Sequence, residues 1–222
     1  MTRDGLEMDT ETMINRRRTR LRALLALAAS VLSACATTQP EISSTNIEIQ
    51  EAVGFTITEE ARISASVRAD YESALRLLEQ GRHGEGVRLL EQVAENAPLF
   101  SAPRIDLGIA YHRAGDLEAA ERNLLLAIGL NADHPIAHNE LGIVYRKTGR
   151  FAEARQSYEA ALAIYPGYHF ARRNLAVLCD LYLADLACAL DNYEAYMATV
   201  PEDDEASMWI ADLRMRRGSE EQ

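Results

Sequence analysis

A segment of this chain repeats with a period of 34 residues, and that period constrains the fold more than any other feature of the sequence. Leu107-Gly108-Ile-Ala-Tyr111 returns 34 positions later as Leu141-Gly142-Ile-Val-Tyr145. Beyond Cys179 the register slips by one residue, which we attribute to an extra residue near Ala184-Asp185. Such a period predicts stacked copies of one small unit, each burying its apolar face against its neighbours. Other positions that recur are Gly81, Gly115 and Gly149, Ala120 and Ala154, and Pro98 and Pro166.

The composition favours helices in these units. Ala and Leu dominate, and aromatic residues make up only 6% of the 222 residues, a composition typical of helical structure. Gly108 and Gly142 allow two helices to approach closely, and the recurring turn glycines permit a positive backbone angle at a helix end. We therefore predict an all-α protein of about four stacked repeats. The repeats should occupy 67–100, 101–134, 135–168 and 169–202.

Helices are expected at both ends of this array. Thr58 with Glu59-Glu60 predicts a helix start, with a hydroxyl cap and acids in the first turn, and this helix should run to about Gln80 and merge with the first repeat. The domain should therefore run over 58–202. A capping helix and tail should follow over 203–222, covering the last repeat with Met208, Trp209, Ile210 and Leu213.

The repeat resembles the tetratricopeptide repeat in its Leu-Gly-x-x-Tyr step, its turn glycine, the small residue early in the second helix and its closing proline. The resemblance covers about 67–202, and the two middle units match best. It implies an α-α superhelix of about four helical hairpins, in which the first helix of each hairpin lines a concave groove. It also implies that this groove holds an extended peptide or a helix of a partner protein.

The N-terminal region looks like an export signal. Arg16-Arg17-Arg18 precedes the apolar run 23–32, which is too short to span a bilayer. Leu32-Ser33-Ala34-Cys35 resembles the lipobox of bacterial lipoproteins, which implies cleavage before Cys35 and lipidation of that residue. We expect a signal peptide over 1–34, then the lipidated Cys35 with a flexible tether over 35–57. Within the tether the five residues Asn46-Ile-Glu-Ile-Gln50 alternate, and a short strand there is the alternative. An ordinary signal with an incidental cysteine is the alternative, and Met13 is a second candidate start.

The lipobox resemblance sets the expected location. It implies a membrane lipoprotein facing the periplasm, placed here at the outer membrane because Ala36 and not Asp follows the cysteine. The chain would then meet the membrane through its lipid anchor alone.

Charge and motifs exclude several functions. The net charge of −11 argues against nucleic-acid binding, which requires clustered Lys and Arg residues. The sequence contains no nucleophile motif, phosphate loop or metal signature, so we expect no enzyme activity, cofactor or small-molecule substrate. His134 and His138 are four residues apart, but two ligands without a third make a weak metal site.

Cys179 and Cys188 fall on the two helices of the last hairpin, close to its turn. Antiparallel helices would bring them level, and exported proteins retain disulfides. Two readings stay open, a disulfide or two buried small apolar residues.

The charges point to the first-helix layer as the binding surface. From residue 101 onward each first helix carries a net charge of +1, whereas the second helices carry −2, 0 and −3. An aliphatic floor edged by Arg, His and Asn suits an extended segment that carries carboxylates; a merely solvated face is the alternative. The candidate groove residues are Ile105, Ile109, His112, Asn139, Ile143, Arg146, Arg173 and Val177.

These features predict a lipid-anchored scaffold or adaptor that binds another protein or peptide of the cell envelope. Assembly of a type IV pilus secretin, insertion of outer-membrane proteins, adaptors of periplasmic proteases and TonB-type energy transduction are the candidate settings. The competing class is a substrate-binding subunit of an envelope enzyme.

Overall fold

A computed structural model describes residues 45–50, 54–59 and 63–220 of the chain. The predicted signal peptide over 1–34 and Cys35, the predicted lipidation site, lie outside the described residues. In the part that is described, none of the helices is both long and apolar enough to span a bilayer.

The first described element is a β-hairpin. Strands β1 (Thr45–Gln50) and β2 (Gly54–Glu59) pair antiparallel, with Ile47 opposite Ile57. The tether prediction is therefore wrong over these residues, and so is the helix start at Thr58, which lies in β2. The alternation of β-branched residues with polar ones favours a strand, and this pattern outweighs the weaker signal of a hydroxyl followed by two acids.

Nine helices follow in residues 63–220. They are α1 (Ala65–Glu79), α2 (His83–Asn96), α3 (Ala102–Ala114), α4 (Leu117–Leu130), α5 (Pro135–Lys147), α6 (Phe151–Ile164), α7 (His169–Leu181), α8 (Leu186–Met197) and α9 (Asp204–Glu220). Successive pairs from α1 to α8 form four hairpins, and α9 packs on α8. Residues 63–220 are therefore all-α, and the predicted superhelix of four hairpins with a capping helix is confirmed there.

Local sequence explains where the helices begin and turn. Ser64 Oγ accepts a hydrogen bond from the Val67 amide at the start of α1. Asp116 caps α4 in the same way through the Ala119 amide. Gly115, between α3 and α4, adopts a φ of +84°, a conformation that costs glycine little.

The core lies between the two helix layers. In the third hairpin Gly142 lies against the fully buried ring of Tyr158, and in the second Gly108 lies against the Leu124 side chain. A Cβ at either glycine would approach its neighbour to 2.5 Å. The close approach predicted from the repeat is therefore a real constraint on packing.

The capping helix covers the last hairpin with Ile210 and Leu213, as predicted, together with Ala206. Trp209 is half-buried, and its ring lies 5.2 Å from that of Tyr193. Met208 is 65% exposed, so its predicted place on the covering face is wrong. At about 100° per residue, Met208 projects from the side of α9 opposite Ala206 and Ile210.

Candidate binding groove

The first helices form one continuous layer. Helices α3 and α5, and likewise α5 and α7, contact each other directly. Two hydrogen bonds across neighbouring repeats join this layer, from the Tyr71 hydroxyl to Asp106 Oδ2 (2.6 Å) and from Asn174 Nδ2 to Asn139 Oδ1 (2.9 Å). Because the first helices approach one another across repeats, they lie on the inner side of the curved stack.

An apolar column runs along this inner layer. It consists of Ile109, Ile143 and Val177, which occupy equivalent positions in α3, α5 and α7 and are all half-buried. They pack on the core with one side. The other side stays accessible, so the column provides an aliphatic floor for a bound segment.

Two predicted groove residues are not accessible. Ile105 is 4% exposed and packs with Ala127 and Ala137, and Asn139 is 2% exposed. The Asn139 amide nitrogen donates to Glu140 Oε1, and its carbonyl accepts from Asn174. The prediction that these two side chains line the groove is wrong, because contacts between adjacent repeats enclose them.

A group of basic side chains lies at one edge of the apolar column. We call Arg113, Arg146 and Lys147 the cationic edge; they lie in the last turns of α3 and α5. Arg113 and Lys147 are exposed, whereas Arg146 is half-buried. Cations in this part of a helix are favoured by the partial negative charge of the C-terminus.

Aromatic groups hold Arg146 in place. Its Nε donates to the Tyr158 hydroxyl at 3.4 Å, and its Cζ lies 5.8 Å from the centre of the Tyr182 ring. Tyr182 in turn packs against Phe151, with ring centres 4.9 Å apart. The guanidinium therefore has one face on an exposed aromatic ring and is oriented before any ligand arrives.

His112 lies beside the cationic edge. Its Nδ1 is 4.0 Å from Glu140 Oε2, and its buried Nε2 has no hydrogen-bond partner among the described residues. Burial lowers the pKa of the imidazole, and the charges of the cationic edge lower it further. Burial also raises the pKa of the Glu140 carboxyl, against the opposing effects of Asn139 and Arg113.

Arg173, the remaining predicted groove residue, lies at the end of the array next to α9. Its guanidinium stacks over the Trp209 ring at 5.3 Å, and its buried Nε has no hydrogen-bond partner in the described structure. Arg216 of α9 forms an ion pair with Asp180 of α7 at the same end. Arg173 thus combines a packing role with its position on the inner layer.

Nothing in the repeat pattern indicated that Tyr182 and Trp209 are the aromatic partners of Arg146 and Arg173. Neither shares the 34-residue register of the groove, since one lies in a turn and the other in the capping helix. Arg113 and Lys147 contributed only to the predicted helix charges. Their separation of 34 residues was the signal that could have identified them as neighbours.

Of the two alternatives for Cys179 and Cys188, the structure has the disulfide. Cys179 of α7 and Cys188 of α8 form a disulfide with a Cα–Cα distance of 5.9 Å. Asp185 lies within 4.8 Å of both sulfurs. Metal binding by cysteine requires thiolates, and both oxygens of Asp185 already accept hydrogen bonds, from Cys188 and Arg155.

His134 and His138, the weak metal site considered from the sequence, have separate environments. His138 Nε2 lies 2.8 Å from the Ala132 carbonyl oxygen. His134 is 5% exposed, and its Nδ1 has no hydrogen-bond partner in the described part of the chain. His138 is therefore held by a backbone carbonyl, whereas His134 is enclosed in the core.

The architecture is that of a helical-repeat protein whose inner layer offers an elongated binding surface. The family model described as tetratricopeptide repeat matches residues 71–128 and 105–169, so this part of the chain consists of tetratricopeptide repeats.

Several solved structures resemble the fold. MamA from Desulfovibrio magneticus RS-1, residues 41 to the end, is 21% identical with a TM-score of 0.62, over 70% of this chain and 87% of that one. The pilF protein of Pseudomonas aeruginosa is 18% identical with a TM-score of 0.62, over 69% of each chain. The first repeat domain of Spaghetti (RPAP3), bound to an HSP90 peptide, is 22% identical with a TM-score of 0.53, over 55% of this chain and 96% of that one. At these identities the likeness concerns the fold.

Proposed function

We propose that this protein is a non-enzymatic adaptor of the bacterial cell envelope whose concave groove binds an acidic polypeptide segment. The observation that carries this proposal is the cationic edge beside the apolar column, in a chain whose net charge is −11. Backbone and aliphatic side chains of the segment would lie on the column. Its carboxylates would pair with Arg113, Arg146 and Lys147.

Tetratricopeptide repeats generally serve as non-catalytic scaffolds. One solved structure of similar fold, the first repeat domain of Spaghetti (RPAP3), is bound to an HSP90 peptide. This supports a peptide or protein ligand for the groove. The charge pattern supports an acidic one, because complementary charges favour association and suppress wrong partners.

The binding test uses the exposed members of the cationic edge. We expect Arg113→Glu with Lys147→Glu to weaken binding of an acidic peptide of alternating glutamate and valine by at least about tenfold. The fold should be retained, since both side chains are exposed. Fluorescence anisotropy at low ionic strength measures the effect, and added salt should reduce it.

A matched control is available on the second-helix layer. Arg88→Glu with Arg122→Glu changes the net charge equally, and both residues are exposed on α2 and α4. This variant should bind the peptide almost as well as the natural protein. Equal loss in both variants would mean that total charge, and not the groove, governs binding, and the site assignment would fail.

The natural partner can be identified through Lys147, the only lysine in the sequence. We expect an amine-reactive cross-linker applied to envelopes to join Lys147 to the partner, which mass spectrometry then names. Lys147→Arg keeps the charge but removes the amine, so the product should disappear. A product that persists in Lys147→Arg would come from another surface and count against the groove.

The anchor belongs to the same proposal and rests on the residues 16–35 alone. We propose that Cys35 carries the lipid and that the helical array faces the periplasm from the outer membrane. Metabolic labelling with a fatty-acid analogue should modify the natural protein and leave Cys35→Ser unlabelled and soluble. A natural protein that takes up no label would overturn the anchor without affecting the groove.

The partner's identity would also separate the candidate settings. Each setting predicts a different cross-linked product: a pilus secretin subunit, an outer-membrane protein under assembly, a periplasmic protease or a component of TonB-type energy transduction. An enzyme as the bound partner would favour a substrate-binding subunit instead.

A further inference from the structure

The turn between α7 and α8 differs from the other three hairpin turns. It spans the four residues 182–185, whereas the others have two or three. Each of the others contains a glycine at positive φ, but here Ala184 adopts a φ of +52°. A residue with a Cβ disfavours this conformation, so surrounding interactions must hold this turn in place.

The disulfide flanks this turn. Cys179 lies three residues before the turn and Cys188 three residues after it. The Asp185 amide donates to the Cys179 carbonyl at 2.9 Å, and the Cys188 amide donates to Asp185 Oδ1 at 3.0 Å. The covalent bond and these hydrogen bonds therefore restrain the same few residues.

Tyr182 connects the turn to the groove. It is the first residue after α7, and its ring contacts both Phe151 and the Arg146 guanidinium. Asp185, at the other end of the turn, accepts a hydrogen bond from Arg155 Nη1 at 3.2 Å. Any movement of the turn would shift the aromatic face that orients Arg146.

The bond is open to attack at one end. Cys179 is fully buried, whereas Cys188 is half-buried. A dithiol reductant would attack the Cys188 sulfur as a thiolate, form a mixed disulfide there and release Cys179, which takes up a proton. The second thiol of the reductant then displaces Cys188 as a thiol and closes the reductant's own disulfide. The protein gains two electrons and two protons, and the dithiol loses them.

We propose that the Cys179–Cys188 bond is a redox-sensitive lock on the groove. In the oxidised protein the turn holds Tyr182 against Arg146, and the cationic edge is ready to bind. Reduction by a dithiol releases the turn, so Arg146 loses its oriented contact and acidic segments bind more weakly. The binding part of this inference rests on the proposed function; the mobility of the turn does not.

Hydrogen exchange tests the lock without any ligand. The Leu183 amide donates to the Leu178 carbonyl, as Asp116 does to Tyr111 and Arg150 to Tyr145 in the second and third hairpins. In the full chain in detergent, we expect reduction to accelerate exchange at Leu183 and Asp185 by about tenfold or more and to leave Asp116 and Arg150 unchanged. Unchanged exchange in protein whose two thiols have been titrated would overturn the lock.

Binding provides the second test, with the same glutamate–valine peptide. Reduction should raise its Kd by about threefold, the scale expected for one cation–π contact near the surface. Oxidised Tyr182→Ala should show the same increase, and reducing that variant should add nothing further. A Kd that reduction leaves unchanged would overturn the coupling.

These outcomes separate the two proposals. If the oxidised natural protein does not bind the peptide at all, the proposed function fails, and the exchange comparison still decides whether the turn is locked. If the oxidised protein binds but neither exchange nor Kd responds to reduction, the lock fails and the groove stands. Two free thiols in the protein isolated from the periplasm would also end the lock.

Discussion

The hydroxyl of Tyr71 in α1 donates a 2.6 Å hydrogen bond to Asp106 Oδ2 in α3, one repeat further along the chain. Asn174 and Asn139 form the corresponding link between α7 and α5, and both pairs are 35 residues apart. Between them, Ile105 and Glu140 occupy the same two positions. Ile105 has no polar group to offer, and Glu140 accepts from Asn139 instead.

The Tyr71–Asp106 pair predicts a stabilising substitution. Burial raises the pKa of Asp106, against the effects of the Tyr71 hydrogen bond and the Arg113 charge. Asp106→Asn keeps an acceptor for Tyr71 and removes a charge that is costly to bury. We expect it to raise the free energy of unfolding at neutral pH by about 1 kcal/mol, as measured by urea denaturation.

The sign of the pH dependence follows from the raised pKa. Asp106 contributes most to stability below the unfolded-state pKa, where both states are protonated, and that contribution is lost as the pH rises through the folded pKa. The advantage of Asp106→Asn should therefore shrink on acidification. Tyr71→Phe leaves the carboxylate without this donor and should destabilise by about 1–3 kcal/mol. An Asn variant less stable than the natural protein at neutral pH would contradict this account.

His134 predicts a loss of stability in mild acid. Burial lowers its pKa from 6.5 to about 4, and the charge of His138 adds to the effect. Below pH ~6.5 the unfolded chain gains a proton that the folded chain does not accept. Stability should be full above that pH and fall by up to about 3 kcal/mol as the pH approaches the folded value.

Two variants test this assignment. Phe100 and Tyr168 occupy the equivalent buried position in the neighbouring repeats, so His134→Tyr should be accepted and should flatten the pH profile of urea unfolding between about pH 7 and 4. His138→Gln retains the buried imidazole and should keep the slope. A His134→Tyr profile as steep as that of the natural protein would show that other groups dominate.

Replacing glycine by alanine should change stability in opposite directions at two helical positions. Gly142→Ala would place a Cβ 2.5 Å from Tyr158 Cε1, and the Tyr158 ring is fully buried. We expect a loss of about 1–3 kcal/mol in thermal or urea unfolding. Gly129→Ala in α4 meets no atom within 4 Å and should stabilise by about 0.5–1 kcal/mol through helix propensity. Similar results at both sites would refute the close approach of α5 and α6.

The disulfide predicts a measurable contribution to stability. Its cysteines are nine residues apart, and closing a loop of that size stabilises by about 2–3 kcal/mol in the chain-entropy model. Cys179→Ala with Cys188→Ala should lower the free energy of unfolding by that amount, and Cys35→Ala should not change it. Non-reducing mass spectrometry should find Cys179 and Cys188 linked. Double-alanine protein as stable as the oxidised natural protein would contradict the prediction.

Local pattern predicted the helical array well because each repeat is a local unit. The 34-residue spacing predicted the hairpins, and the one-residue slip near Ala184 corresponds to the four-residue turn between α7 and α8. The β-hairpin was missed because an alternating run of five residues is ambiguous until its partner strand is known. Pairing with Gly54–Glu59 settled it.

The candidate site was predicted less completely. Spacing placed Ile109, Ile143 and Val177 on one layer, but it also placed Ile105 and Asn139 there. Their accessibility depends on the neighbouring repeat, which encloses both side chains. The aromatic contacts of Arg146 and Arg173 come from residues outside the repeating register, so the 34-residue period does not predict them.

The amino-acid sequence by itself determined the repeating helical hairpins and the excess of basic residues on the first helices. It placed Cys179 and Cys188 near one turn and left a disulfide as one of two outcomes. These properties depend on neighbours within one repeat unit. Only the tertiary structure decided which inner-layer side chains remain accessible and which aromatic ring orients Arg146. Both depend on contacts between adjacent repeats, where burial and distance are set by how the hairpins stack.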